Sequence, residues 1–206
     1  MENRWVGLLP ASAPEEEDAP DAEVEADDVL VGVPAPQLGI DAPEDRVLGR
    51  VVSDGLGVHW GGAHGGSGES TVATLGGGRA CDHRWPEMSA GADASVPVVL
   101  VARRNHHGMR AASLAAREWA SGAHPDVMLL GLVLIEAAPG RIPRELQRQS
   151  KVLSGAVPRT WIVPWIEDLR VHGEVDLEVL PHTAAKPLTS LREVVEEHSP
   201  ARERNV

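Results

Sequence analysis

Continuous apolar runs alternate with helix-period stretches through the second half of the chain. Val96–Ala102, Val127–Ile135 and Thr160–Trp165 are rich in β-branched residues with few polar interruptions. That is the pattern of strands buried on both faces. Gly108–Ser121 sets Met109, Ala112, Ala116 and Trp119 on one helical face, with Arg110, Arg117 and Glu118 mostly elsewhere, and Gly122 ends it. Pro143–Leu153 reads as a second helix, with Leu146, Ser150 and Leu153 roughly on one face and Pro143 suited to its first turn. Strands alternating with helices of this length imply right-handed βαβ units and a mostly parallel sheet.

Upstream, the apolar run Leu56–Ala63 enters a glycine cluster, Gly61-Gly62-Ala63-His64-Gly65-Gly66-Ser67-Gly68. Ser70–Leu75 starts a short helix that Gly76–Gly78 stops. Arg84–Pro86 reads as a small strand, at an edge because Pro86 has no N–H to give. Near the C-terminus, Ser190 and Glu193 have the spacing of a capping box ahead of a helix striped by Leu191, Val194 and Val195. The expected organisation is a leader over residues 1–48, an α/β domain over 49–173 and a C-terminal extension over 174–206 with one helix.

Charge sharpens that division. The 206 residues hold 19 bases against 31 acids, a net charge of −12. Residues 1–48 carry 13 of the acids and two of the bases, leaving 18 acids and 17 bases for the remainder. The leader also holds Pro10, Pro14, Pro20, Pro34, Pro36 and Pro43. Such a segment is expected to be disordered, because it buries too little apolar area to offset chain entropy. Short apolar pieces, Trp5–Leu9, Val29–Val33 and Leu38–Ile40, are its candidate docking points on a partner or on the domain. No basic stripe stands clear of acids, which argues against direct nucleic-acid binding. No run of about 18 apolar residues occurs, which argues against a membrane span. Met1–Pro20 lacks the basic and apolar regions of a signal peptide. One cysteine, Cys81, cannot build a cysteine-based zinc cage. The expectation is a cytoplasmic chain.

The glycine cluster is the most informative segment. It follows a strand and opens a helix, the setting in which a glycine-rich turn aims N–H groups at a phosphate. His64-Gly65-Gly66-Ser67-Gly68-Glu69-Ser70-Thr71 resembles the deviant P-loop of ParA/MinD ATPases, Lys-Gly-Gly-x-Gly-Lys-Thr-Thr/Ser. His64 stands at the signature lysine, Gly65, Gly66 and Gly68 at the glycines, and Ser70 at the hydroxyl that ligands magnesium. Val98–Ala102 looks like the strand after that family's hydrolysis motif, Leu129–Ile135 like its Leu-Gly-Val-Val strand, and Trp161–Trp165 like its late strand ending at proline. The resemblance implies a small three-layer, P-loop NTPase-like domain. The pattern is also similar to that of reduced ParA relatives in high-G+C bacteria, some encoded beside conjugative-transfer genes.

The departures bear on activity. Glu69 occupies the position of the phosphate-binding lysine, and only about 25 residues separate Thr71 from Val98, far fewer than in the family. Asp82 and Asp93 are the aspartates in that interval, and neither ends a strong apolar strand. A carboxylate about 4 Å from a phosphate charge costs ~1 kcal/mol in water-like surroundings and ~4 kcal/mol at an effective dielectric near 20. The missing lysine forfeits about 1.5–3 kcal/mol more. Together these remove roughly two to five decades of affinity. The expectation is that Glu69, placed in the first turn of a helix, partly fills the anion site itself.

The resemblance and these departures give a non-catalytic or weakly nucleotide-binding accessory protein, with plasmid or conjugative-element machinery as its implied setting. The alternative is an ATPase completed by a lysine or arginine from a partner. Candidate phosphate-site residues are Gly65, Gly66, Ser67, Gly68, Glu69, Ser70 and Thr71, with Arg103 and Arg104 as cations at the end of the Val98 strand. No cofactor is expected, with Mg-ATP the alternative and Ser70 then its metal ligand; a protein partner is expected, with a homodimer as one form. His64-Gly65-Gly66 also matches an esterase oxyanion tripeptide, but Ser113, Ser121, Ser154 and Ser190 lack the Gly-x-Ser-x-Gly frame. Cys81, His83, His106 and His107 read as scattered loop residues rather than a metal site.

Overall fold

The computed structural model describes residues 29–45, 48–88, 95–172 and 177–199. Asp93 and the Trp5–Leu9 piece of the leader lie outside the described residues. The elements are β1 (Leu30–Val31), β2 (Gly49–Ser53), β3 (His59–Gly62), α1 (Glu69–Gly76), β4 (Arg79–Ala80), β5 (Arg84–Met88), β6 (Val96–Arg104), α2 (His106–Ala120), β7 (Val127–Glu136), α3 (Arg144–Ser154), β8 (Arg159–Val163), α4 (Glu167–His172) and α5 (His182–Glu197).

Six strands form one sheet in the order β1-β8-β7-β6-β3-β4. Every neighbouring pair is parallel except β1 with β8. β2 and β5 pair in parallel as a separate two-stranded sheet, so Pro86 does sit on an edge. The period of two in β6 decides the layers. Val98, Leu100 and Ala102 face the core that contains Ala112, Trp119 and Leu153 of α2 and α3. Val99 and Val101 face the opposite core, with Val72 of α1 and Leu188 and Leu191 of α5. Helices therefore cover both faces of a mostly parallel sheet.

Two boundaries differ from the sequence expectation. Within the expected leader, residues 29–45 pack on the domain. Leu30 and Val31 pair with Thr160 and Arg159, Gly32 N–H donates to Pro158 O at 3.1 Å, and Val33 and Ile40 lie against the α2–α3 core. Val29–Val33 carries no acid, since 10 of the leader's 13 acids precede Val29, and this apolar piece covers the β8 edge. The C-terminal helix is also longer than expected. It starts at His182 rather than after Ser190, and Leu188, Leu191, Val194 and Val195 make it an integral layer. Ser190 is no cap; its Oγ accepts a hydrogen bond from Trp161 Nε1 at 3.2 Å. Pro187 is buried within the helix.

Glu118 overturns its placement on a polar face. It is fully buried on α2, where Oε2 accepts from Trp85 Nε1 at 3.2 Å and Oε1 lies 3.0 Å from His124 Nε2. The His124 ring stacks on Trp85, so this polar cluster ties β5 of the smaller sheet to α2 and the turn that follows it.

If α5 is part of the core, Leu188→Ala should cost about 2–5 kcal/mol in urea unfolding, the range for emptying a buried leucine site. A loss below about 1 kcal/mol would return α5 to the status of an appended helix.

Candidate functional site

The chain leaves β3 for β4 on one side of the sheet, and leaves β6 for β7 and β8 on the other. The order of winding therefore reverses between β3 and β6. In an open α/β sheet, a crevice forms outside the carboxyl ends of the strands at such a point. Two turns meet there: residues 63–68, which join β3 to α1, and Asn105, which joins β6 to α2.

Gly66 and Gly68 take positive φ, 76° and 97°, which lets the 63–68 turn fold over the end of β3. Ser67 is fully buried; its N–H donates to His64 O at 3.2 Å and its Oγ accepts from Glu69 N–H at 3.3 Å. Among the described residues, the N–H groups of Gly65, Gly66 and Gly68 donate to no protein acceptor. Gly65, Gly66 and Ser70 are exposed and Thr71 is half-buried. The turn keeps an open set of donors at the head of α1.

His64 does not project from the turn as the signature lysine would. Its Nε2 accepts the Arg103 backbone N–H at 3.1 Å, so Nδ1 carries the proton it donates to Gly65 O at 2.8 Å. The ring meets His107 edge-on at 5.1 Å. Arg103 lies across the turn, with Nε donating to Gly66 O and one terminal nitrogen to Glu136 O, each at 3.3 Å. Arg104 turns away: its Nε donates to Ser150 Oγ at 2.8 Å and a terminal nitrogen pairs with Glu136 at 2.6 Å. Of the two arginines singled out by sequence, the structure brings only Arg103 to the glycine turn.

Glu69 corrects the expectation that it partly fills the anion site. It is 4 % exposed, and its carboxylate accepts from the backbone N–H groups of Cys81 at 2.6 Å and His83 at 3.2 Å. His83 Nδ1 lies 3.0 Å from Oε2. The β4–β5 turn needs this anchor, because Asp82 and His83 both hold left-handed backbone, at φ 51° and 58°. Gly62 makes room for it; a side chain there would meet Glu69 Oε2 at 2.5 Å and Ser67 Oγ at 2.6 Å. The head of α1 is thus tied to the β4–β5 turn by a buried carboxylate. Nothing in the sequence marks this contact, since a carboxylate and two amides 12 and 14 positions later form no motif.

Trp60 is buried, with Nε1 donating to Gly77 O at 2.6 Å, so it offers no stacking face beside the loop. Cys81 is buried, and its thiol is pushed up to about 12, first by burial and then by the charges of Glu69 and Asp82. His106 and His107 open α2 behind Asn105, whose side chain accepts the Gly108 N–H at 2.8 Å. Among the described residues, no three His, Cys, Asp or Glu side chains converge as a metal site. No described helix is long and apolar enough to cross a membrane.

A family model described as a family of unknown function (DUF6668) matches residues 57–184. The match runs from the approach to β3 into the start of α5, so it contains the glycine turn and the crevice. No curated protein and no solved structure matches the chain.

Two outcomes test this site. Glu69→Lys removes the acceptor of two buried N–H groups and should lower unfolding free energy by about 3 kcal/mol or more, with Glu69→Gln losing about 1–2 kcal/mol. A lysine variant as stable as the native chain would contradict the anchor. The second concerns His64, whose pKa burial holds below the ordinary histidine value. The unfolded chain then binds the extra proton first, so this stabilisation is complete above about pH 6.5 and is lost as pH falls through the folded pKa. Thermal midpoints should therefore drop between pH 7 and pH 5, and drop less in His64→Gln. Parallel curves for the two proteins would refute the assignment.

Proposed function

The chain belongs to the DUF6668 family of unknown function, and from that premise we propose that it is a non-hydrolysing, weakly nucleotide-binding relative of the ParA/MinD ATPases that works through a protein partner. The observation that carries this reading is the direction of the Glu69 carboxylate. It is spent on Cys81 and His83, so it neither replaces the lysine nor fills the glycine turn. The turn keeps donors that can meet an anion, and Arg103 is the cation beside them.

Such a site holds phosphate oxygens by backbone N–H groups, the partial charge at the head of α1, and one guanidinium. It lacks the lysine that would bridge the terminal phosphates in the resembled family. Binding without turnover follows from that chemistry. The P-loop NTPase-like description of the fold belongs to the same reading: the glycine turn follows a strand beside the switch point and heads a helix, as in that architecture. The acidic leader and the implied setting in plasmid or conjugative-element machinery fit an accessory whose output is an interaction.

Titration of the full chain with Mg-ATP, followed by amide chemical shifts and by phosphate release, tests this. Binding weaker than about 100 μM is expected, with shifts at Gly65, Gly66 and Gly68, a further loss of about 10- to 100-fold in Arg103→Ala, and no turnover. Micromolar affinity together with turnover abolished by Ser70→Ala would overturn the proposal in favour of an ATPase.

A further inference from the structure

A cleft of about 280 Å³ opens between the two-stranded sheet and the β3–β4 edge of the main sheet. Its walls bring together Ser53 at the end of β2 and His59 at the start of β3, at the opposite end of that strand from the glycine turn. Gly55 and Gly57, at φ 74° and 70°, fold the intervening segment back so that the two side chains meet.

The hydrogen bonds fix the direction of each proton. His59 Nδ1 lies 3.0 Å from Gly57 O, and a carbonyl only accepts, so Nδ1 carries the hydrogen. Nε2 is then a lone pair. Ser53 Oγ lies 2.9 Å from it and must donate its hydroxyl proton. The same Oγ accepts the Gly55 N–H at 3.0 Å, which holds its rotamer toward the ring. A nucleophile, a base and a group orienting the base thus stand in line, with the Gly57 carbonyl in the role a carboxylate plays in a triad. His59 is 5 % exposed, and burial is the largest cause lowering its pKa, so Nε2 is free to accept a proton at neutral pH. Ser53 is 8 % exposed and borders the cleft.

We propose that Ser53 is a catalytic nucleophile with His59 as its general base, and that the cleft takes a short-chain acyl ester. The hydroxyl oxygen bonds to the ester carbonyl carbon as its proton passes to His59 Nε2. The carbon–oxygen bond to the leaving alcohol then breaks, and the alkoxide takes that proton. Water repeats the sequence on the acyl-serine and releases the carboxylic acid. Arg84 lines the same cleft and has no ion-pair partner among the described residues, which leaves its guanidinium to meet the oxyanion. The volume is at the small end of ligand sites, which sets the short acyl chain. Cys81 borders the cleft as a thiol rather than a competing thiolate. This site shares no role with the nucleotide reading, and either can fail without the other.

The test is to treat the folded full chain at pH 7 with a fluorophosphonate ester and with p-nitrophenyl acetate. The expected result is one phosphonyl adduct, mapped by fragmentation to Ser53, and a nitrophenolate burst of about one equivalent per chain. Ser53→Ala should lose both, and His59→Gln should slow labelling by about 100-fold or more. Since His59 is buried, the native chain supplies a second readout of its role. The labelling rate should level off above about pH 7 as the imidazole becomes fully neutral; Arg79 and Asp54 beside it, with Asp82 and Arg84 on the cleft wall, are the other charged groups that face it. No adduct on the folded chain, an adduct on another hydroxyl, or a rate that keeps rising with hydroxide would overturn the proposal.

Discussion

The buried carboxylate of Glu69 is the interaction on which the rest of the site depends. It satisfies the Cys81 and His83 N–H groups, and those residues connect β4 to β5 through backbone that side chains rarely adopt. Through β5, Trp85 reaches Glu118 on α2 and stacks on His124. One acid at the head of α1 therefore tethers the turn from which the smaller sheet reaches the face opposite α1. A lysine at the same position would leave two buried donors without a partner and would add an uncompensated buried charge.

That constraint separates the backbone and side-chain parts of the proposed anion site. The backbone part is in place: Gly66 and Gly68 shape the turn, and among the described residues the Gly65, Gly66 and Gly68 N–H groups meet no protein acceptor. The side chains are mostly committed elsewhere. His64 is drawn into Arg103 N–H and Gly65 O, Arg104 into Ser150 and Glu136, and only Arg103 stays beside the turn. In the function proposed above, such a turn serves recognition of an anion rather than chemistry on it.

The sequence makes the scaffold legible because its signals are local and periodic. Val96–Ala102 and Val127–Ile135 read as buried strands since both faces of each are apolar, and β6 and β7 are covered on both faces. Where the sequence misleads, a tertiary partner decides. Ser190 has capping-box spacing, yet its hydroxyl serves Trp161 while the helix begins at His182. Glu118 sits in a polar stretch of α2, yet Trp85 and His124 give it a buried partner set. Arg103 and Arg104 are adjacent and alike in sequence; strand alternation sends one to the glycine turn and the other to α3. Ser53 and His59 form no recognised frame, and only two left-handed glycines bring them into contact.

Amide hydrogen exchange, residue by residue, tests the central claim most directly. If Glu69 is committed to the β4–β5 turn, Cys81 and His83 are strongly protected in the free protein, while Gly65 and Gly66 exchange fast and slow down on addition of pyrophosphate. Rapid exchange at Cys81 and His83, with Gly65 and Gly66 already protected and indifferent to pyrophosphate, would place the carboxylate over the glycine turn and contradict the account.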